Sequence, residues 1–136
     1  MEASDDFRDM GLLLPSDVRW LDEKGYVWSM SAQENNGLLV LTDFRVDSSR
    51  YDRESVDLLI HIPAAYNDAT LDMWYVWPHV KMRSGDEPDR AHVRQNWLGR
   101  EWQGFSRHLP SWRAGLDDLP RFMTFVVAEL QRPGDA

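Results

Sequence analysis

The sequence predicts an α+β fold in which a four-stranded antiparallel sheet is covered on one face by a C-terminal helix. Four strand-like segments lie between residues 26 and 77, and turn-forming residues separate them. Apolar residues then recur at helical spacing between 119 and 130. A sheet and a helix that are each apolar on one side bury those sides against each other, which gives a two-layer domain.

The four predicted strands form a meander. Each is rich in β-branched, aromatic and aliphatic residues. They are YVWSMSA (26–32), GLLVLTDFRV (37–46), SVDLLIHI (55–62) and LDMWYVW (71–77). Asn36 and Gly37 predict a tight hairpin turn between the first two strands, because these residues accept the positive φ angles of a two-residue turn. The polar stretches DSSRYDRE and PAAYNDAT predict longer turns to the third and fourth strands.

One further segment precedes the four strands, and another follows them. A short helix is predicted around 16–24 with Ser16 as its cap, although the preceding LLLP is equally compatible with an extended chain. From Pro78 to Gly115 the periodicity fails, and glycine, proline, aspartate and arginine accumulate. This segment is predicted to be a long irregular loop with a short helical piece near 89–98. Irregular segments of this length are uncommon in compact domains and tend to be functional.

The C-terminal helix is predicted from six apolar residues at helical spacing: Leu119, Phe122, Met123, Val126, Val127 and Leu130. Asp117 or Asp118 is placed to cap it, Pro120 is tolerated in its first turn, and Pro133-Gly134 is expected to end it. Negative charge at a helix N-terminus also suits the helix dipole. The aspartate pair is therefore assigned no catalytic role.

The composition limits the function classes. The 136 residues predict one domain spanning 1–136, of which the first six and the last few residues look like loose ends. The net charge of -8 and the scattered basic residues argue against nucleic acid as a partner. There is no apolar run long enough for a membrane helix and no leader, so the protein is expected to be cytoplasmic. The absence of cysteine excludes disulfides, thiolate metal sites and cysteine nucleophiles.

Two stretches carry a family resemblance. DLLIHIPAAYNDATLDMWYVWPHVKM and WQGFSRHLPSWRAGLDDLPRFMTFVVAEL resemble the ubiquitin-conjugating (UBC, or E2) superfamily, and most closely its prokaryotic family E, over a core of about residues 18–131. Pro63 and Tyr66 stand where the superfamily has a Pro-rich loop with a tyrosine. The run WPH (77–79) stands in place of His-Pro-Asn, and Trp112 matches a later tryptophan. The resemblance implies a UBC-like fold in which the irregular segment is the active-site region.

The missing cysteine is the main departure from that family. A conjugating enzyme needs a thiolate, whose thioester remains reactive toward amines. His79 stands in place of the asparagine that would stabilise the oxyanion, and it can donate a hydrogen bond but also titrates. Ser106 and His108 lie nearest to the position of the missing cysteine. A serine paired with a histidine would at best form an oxyester.

The candidate catalytic residues are therefore His108, His79 and Ser106. A lone histidine in a tryptophan-rich region is more often a hydrogen-bonded structural residue, and no activating turn such as Gly-x-Ser-x-Gly surrounds Ser106. His61 is expected to face solvent or a partner, and His92 to lie in a charged loop. The histidines lack the spacing of metal ligands, so neither a metal nor another cofactor is expected.

Five of the seven tryptophans lie within residues 74–112: Trp74, Trp77, Trp97, Trp102 and Trp112. The favoured interpretation is that they form a core for the irregular half of the chain, with Phe105 and Trp112 anchoring the loop. In the alternative, one or two remain exposed as interface anchors, since tryptophan and arginine are enriched at binding hot spots. The candidate binding residues are Trp77, Trp102, Arg107 and Trp112.

Three function hypotheses follow. The resemblance implies a cysteine-less component of a bacterial ubiquitin-like modification system that binds or scaffolds other proteins through the outer sheet face and the loops of 78–112. Its partners would be a single or tandem ubiquitin-like protein and an activating-enzyme-like adenylating protein, with a JAB-type metallopeptidase as a further candidate. In the second hypothesis His79, Ser106 and His108 converge to catalyse acyl transfer or hydrolysis, which requires a hydrogen bond from Ser106 Oγ to a histidine. The third is a ligand-binding domain with an apolar pocket lined by tryptophans.

Overall fold

The chain folds into one sheet flanked by helices, and the computed structural model describes residues 7–132. The ends, including the Pro133-Gly134 predicted to stop the last helix, lie outside the described residues. A 3-10 helix at Phe7–Asp9 precedes helix α1 (Pro15–Glu23), and helix α2 (Leu119–Leu130) is the last of the described elements. The strands are β1 (Val27–Gln33), β2 (Asn36–Arg45), β3 (Ser55–Ile62), β4 (Trp74–Trp77), β5 (Val93–Trp97) and β6 (Arg100–Phe105). The predicted α+β class is confirmed.

The described residues form a six-stranded sheet, not the four-stranded one that the sequence predicts. All neighbouring strands are antiparallel, in the order β1-β2-β3-β4-β6-β5. The first four strands follow chain order, as the predicted meander requires. The β5–β6 hairpin then extends the sheet with β6 beside β4, so β5 becomes an edge strand.

The β5–β6 hairpin replaces the helical piece predicted near 89–98, and that prediction is wrong. Because β5 is an edge strand, its polar residues remain largely exposed and the apolar alternation that identifies a strand is weak. Leu98 and Gly99 form the two-residue turn, with φ angles of 56° and 73°. Leucine is not a typical residue for such a turn, which hides the hairpin in the sequence.

The turn between β1 and β2 lies two residues earlier than predicted. Glu34-Asn35 forms it, with the φ of Glu34 at 57°, and Asn36 is already the first residue of β2. Gly37 has a different role, since a Cβ atom there would lie 2.7 Å from both Leu12 Cδ1 and Met30 Sδ. Glycine at this position avoids a clash with the Leu12 and Met30 side chains, and it is not needed for a turn of the backbone.

Helix α1 begins at Pro15, so the prediction that Ser16 caps it is wrong. The proline fixes the φ angle of the first turn. Asp17, one position further on, performs the capping contact, because its Oδ2 accepts a hydrogen bond from the Leu14 backbone N–H at 3.0 Å. Asp17 is fully buried, whereas Ser16 is exposed.

Helix α2 confirms the C-terminal prediction. Asp118 is the N-cap and accepts a hydrogen bond from the Arg121 N–H at 3.1 Å, and Pro120 lies in the first turn. The neighbouring Asp117 is buried and bound by Arg113, whose backbone N–H and Nη2 donate at 2.7 and 2.8 Å. These bonds lower the pKa of Asp117. The two aspartates therefore hold the start of the helix in place.

The two faces of the sheet carry separate apolar clusters. On the inner face α1 and α2 pack against buried side chains of β2, β3, β4 and β6, which confirms that the C-terminal helix covers the sheet. Because side chains alternate along a strand, the intervening residues point to the outer face. The outer cluster comprises Leu38, Val40, Leu59, Tyr75 and Trp102, with Met73, Trp77, Val93 and Trp97 partly buried around it.

Candidate functional site

His79 lies two residues beyond the end of β4 and is held by the beginning of β6. Its Nε2 is 2.9 Å from the backbone oxygen of Glu101, so Nε2 carries the proton and donates. The Glu101 carboxylate lies 3.7 Å from the same nitrogen. The backbone oxygen of His79 accepts from Arg53 Nε at 3.1 Å. The ring is thus fixed at the surface with Nδ1 left as its acceptor.

Arg107 lies beyond the other end of the sheet, after β6, where it contacts α2. Its Nε and Nη2 donate to the two carboxylate oxygens of Glu129 at 2.9 and 3.3 Å. Nη2 also donates to the backbone oxygen of Asp89 at 2.8 Å. The bond to Glu129 raises the pKa of Arg107, so its positive charge is permanent. Its side chain is only 16% exposed, which makes it a fixed cation near the surface.

Ser106 and His108 flank Arg107 but do not bond to each other. His108 Nδ1 is hydrogen-bonded to the carboxylate of Asp72, and both side chains are exposed. The backbone N–H of Ser106 donates to the Arg90 oxygen at 2.9 Å. A carboxylate that accepts from Nδ1 holds the ring so that Nε2 is the acceptor of neutral His108.

The structure separates the three candidate catalytic residues into two groups. β4 and β6 are antiparallel, with Trp74 opposite Phe105 and Val76 opposite Gln103. The residue after β4 and the residue after β6 therefore lie at opposite ends of this strand pair. His79 bonds to Glu101 at one end, and His108 bonds to Asp72 at the other. Neither bond involves Ser106, and no hydrogen bond among the described residues joins Ser106 Oγ to a histidine.

Gln103 is a buried residue of this region that the sequence reasoning missed. It lies in the centre of β6 and is 1% exposed. Its Oε1 accepts from the Val80 N–H at 2.8 Å, and its Nε2 donates to the oxygens of Val80 and Ala91 at 3.1 and 3.3 Å. A glutamine in a strand gives no sequence signal for such contacts. It fixes both ends of the segment that connects β4 to β5.

The candidate binding tryptophans differ in exposure. Trp102 is 1% exposed and its Nε1 donates to the Trp97 backbone oxygen at 3.0 Å, so it supports the outer face from beneath. Trp77 is half-buried, and the guanidinium of Arg100 lies 3.8 Å from its ring centroid. Trp112 is half-buried and donates from Nε1 to the Asn67 oxygen at 2.9 Å. The structural interpretation holds for Trp102, whereas Trp77 and Trp112 retain partly exposed rings.

Tyr66, in the Pro-rich loop, joins α1 to α2. Its hydroxyl donates to Asp17 Oδ2 at 2.7 Å and accepts from the Leu119 backbone N–H at 2.6 Å. Burial raises the pKa of Tyr66 well above its usual range, with the nearby Asp17 charge adding to the effect. The same burial raises the pKa of Asp17, whose Oδ1 has no hydrogen-bond partner among the described residues. The sequence reasoning placed Tyr66 in this loop but did not anticipate Asp17.

His61 lies on the outer face, where the tip of the β5–β6 hairpin covers it. Its ring stacks on Trp97 with centroids 6.0 Å apart, and Trp97 also meets the edge of Tyr75 at 4.9 Å. Burial lowers the pKa of His61, so the ring stays neutral near pH 7. His61 is thus a neutral aromatic contact on the outer face, and Asp72 lines the same groove.

Residues 7–132 contain neither a cluster of metal ligands nor a helix that could span a membrane. That part of the chain contains no group of three or more histidine, aspartate or glutamate side chains placed to hold a metal ion. Neither of its α-helices, nine and twelve residues long, has the length and apolar character needed to cross a bilayer.

Comparison with known proteins identifies the family. No curated protein and no solved structure is significantly similar to the chain. The sequence model of prokaryotic E2 family E matches residues 13–133, a span that contains every element from α1 to α2. The chain therefore belongs to prokaryotic E2 family E, and this membership indicates a role in ubiquitin-like conjugation.

Proposed function

We propose that the protein is a cysteine-less E2-like component of a bacterial ubiquitin-like modification system, in which it binds or scaffolds other proteins. The observation that carries this proposal is the complete lack of cysteine in a chain that the family model matches over residues 13–133. Without a thiolate, this chain forms no thioester. Its partners are a ubiquitin-like protein, single or tandem, and an activating-enzyme-like adenylating protein, with a JAB-type metallopeptidase as a further candidate.

The outer sheet face is the surface that best supports a binding role. Partly exposed Met73, Trp77, Val93 and Trp97 surround the buried Tyr75 and Trp102. Large aromatic side chains on a rigid strand scaffold contribute much of the binding energy at protein interfaces. The separated positions of His79 and His108 favour this role over the acyl-transfer alternative.

Reconstitution tests the proposal. The protein is mixed with a ubiquitin-like protein, an activating-enzyme-like protein and ATP, and the products are measured by intact mass spectrometry and calorimetry. We expect saturable binding of at least one partner and no covalent adduct on this chain. A ubiquitin-like adduct that maps to Ser106 would instead establish the oxyester alternative, and lack of binding to both partners would refute the scaffold.

A pair of variants tests the outer face. Trp97→Ala removes the ring that covers His61 and Tyr75, and we expect it to weaken partner binding roughly tenfold or more, as truncation of an aromatic hot spot does. Leu116→Ala is the control, since Leu116 is 71% exposed in the loop before α2. Thermal unfolding confirms that both variants are folded at the assay temperature. Equal losses of affinity in the two variants would place the contact elsewhere.

A further inference from the structure

A cavity of about 310 Å³ lies between α2 and the segment that follows β6. Its wall includes Trp74 of β4, Arg90, Arg107, and Phe122, Phe125 and Glu129 of α2. The volume is at the lower end of the range for small-molecule sites, so the cavity suits one small group and not a large cofactor. His79 lies beyond the opposite end of the β4–β6 pair, which makes this a separate site.

Two residues that line the cavity, Trp74 and Arg107, each carry a buried hydrogen-bond donor without an acceptor among the described residues. Trp74 is 2% exposed, and its indole Nε1–H has no partner. The Nη1 of Arg107 is likewise buried and unpartnered, although its Nε and Nη2 are fully used. Buried donors are nearly always paired because an unpaired one costs free energy. Two such donors on residues of one cavity point to an oxygen acceptor as the missing group.

The charges around the cavity favour an anion. Two arginines, Arg90 and Arg107, line it against the single carboxylate of Glu129, although the whole chain is acidic. Arg90 pairs with Asp89 at 3.3 Å, but both side chains are largely exposed, at 62% and 84%. Such an exposed pair is weak, so Arg90 is available to turn toward a bound carboxylate. Arginine is also the side chain best suited to bind a carboxylate through two parallel bonds.

The rest of the wall is apolar. Phe122 is buried, Leu109 is half-buried, and Phe125 is 37% exposed at the rim. The two unpartnered nitrogens are shielded from water, so ligand binding requires the exposed rim side chains, Arg90 and Phe125, to rotate. Ligand sites commonly combine such apolar walls with a few polar groups that fix the orientation of the ligand.

We propose that this cavity binds a carboxylate joined to a small apolar group, with Trp74 Nε1, Arg107 Nη1 and Arg90 as its donors. The carboxylate comes either from a free acid or from the carboxy-terminal residue of a polypeptide. The proposal stands independently of the proposed function, because it requires no ubiquitin-like or activating partner. Trp74 is the one tryptophan among the described residues that line the cavity, so the cavity meets the hypothesis of a tryptophan-lined pocket only in part.

The indole proton of Trp74 provides a direct test. Its ¹H–¹⁵N resonance is assigned by its loss in Trp74→Phe and is followed during titration with 4-methylpentanoate and with N-acetyl-leucine. We expect a saturable downfield shift, because the N–H gains an acceptor. N-acetyl-leucinamide has nearly the same shape without the charge and is expected to bind at least roughly tenfold more weakly. No saturable shift with either acid, or equal affinity for the amide, would overturn the proposal.

Two variants separate binding from folding. Trp74→Phe keeps a ring between Phe105 and Phe122 but removes the unpartnered donor, so we expect weaker acid binding with little loss of the protein's stability. Arg90→Gln at the exposed rim is expected to weaken binding roughly tenfold. Arg19→Gln on the exposed side of α1 is the matched control and is expected to bind like the original protein. Unchanged affinity in both cavity variants would refute the assignment.

Peptides distinguish the two sources of the carboxylate. A pentapeptide ending in leucine is titrated with a free carboxylate and, separately, with an amidated C-terminus. Binding of only the free-carboxylate peptide identifies a polypeptide end as the ligand class. If the small acids bind and neither peptide does, the ligand class is a free acid.

Discussion

Asp17 is a carboxyl group that the fold buries with only one of its oxygens hydrogen-bonded. Burial raises its pKa above the usual 3.8, so the folded state prefers the protonated form. Its contribution to stability is complete below that usual pKa and is lost as the pH rises through the raised pKa. Asp17→Asn cannot ionise and still accepts from Leu14 and Tyr66. We expect its free energy of unfolding to fall less than that of the original protein between about pH 4 and pH 8.

Denaturant unfolding at a series of pH values measures this difference. Asp43→Asn is the control, because Asp43 is exposed and asparagine tolerates its φ angle of 56°. If the free energy of unfolding of Asp17→Asn changes with pH in parallel with that of the unmodified protein, Asp17 does not cause the loss of stability at higher pH.

At the level of the secondary structure elements, Gly104 of β6 leaves room for the Tyr75 ring of the neighbouring strand β4. A Cβ atom at Gly104 would lie 2.8 Å from Tyr75 Cε2 and 3.1 Å from Val93 Cβ. We expect Gly104→Ala to destabilise the protein by about 1–3 kcal/mol, because the aromatic ring has to move. A double-mutant cycle with Tyr75→Leu, followed by chemical denaturation, checks the cause. If Gly104→Ala destabilised the protein equally in the Tyr75→Leu background, the cause would be the backbone and not the clash with the ring.

Gln103 connects β6 to the ends of the segment between β4 and β5. Gln103→Leu leaves the Val80 N–H and the Val80 and Ala91 oxygens without this partner, and we expect a loss of about 2–5 kcal/mol. Hydrogen exchange at the Val80 amide is expected to accelerate more than exchange in β2. Gln95→Leu, at an exposed position of the neighbouring strand, is the control and is expected to change neither quantity appreciably.

The elements that the sequence predicts well are those in which local pattern and burial agree. The alternation in β3 and the helical spacing in α2 each reflect one buried face, so both elements appear at the predicted positions. β5 is missed because an edge strand buries little, and β6 because its turn from β5 contains leucine and its buried residues include Gln103 and Gly104. The β1–β2 hairpin is predicted, but its turn is misplaced. Gly37 makes room for the Leu12 and Met30 side chains and is not part of the turn.

At the scale of the whole molecule, strand order determines which residues form a site. The sequence identifies His79, Ser106 and His108 by residue type and by family resemblance. It does not reveal that β6 pairs antiparallel with β4 and so carries His108 away from His79. Contacts such as those of Gln103 and Asp17 arise between residues distant in sequence and leave no local pattern.

This separation predicts independent effects of the two histidines. In the reconstituted mixture we expect the changes caused by His79→Ala and His108→Ala, measured as free energies of partner binding, to add within about 0.5 kcal/mol in the double variant. His92→Ala, at an exposed position before β5, is the control. Strong coupling between the two substitutions would contradict the location of the histidines at opposite ends of the β4–β6 pair. If neither variant changed binding or modification, the assignment of these histidines to the site would be wrong.

Helix α2 is made after all six described strands, and this order has a consequence for biosynthesis. Leu119, Phe122 and Val126 come from α2, yet they cover strands completed by residue 105. While the ribosome still holds the C-terminal segment, the apolar inner face of the nascent sheet is exposed. Chains released prematurely at a stop codon before codon 119 are therefore expected to be captured by chaperones or degraded by proteases.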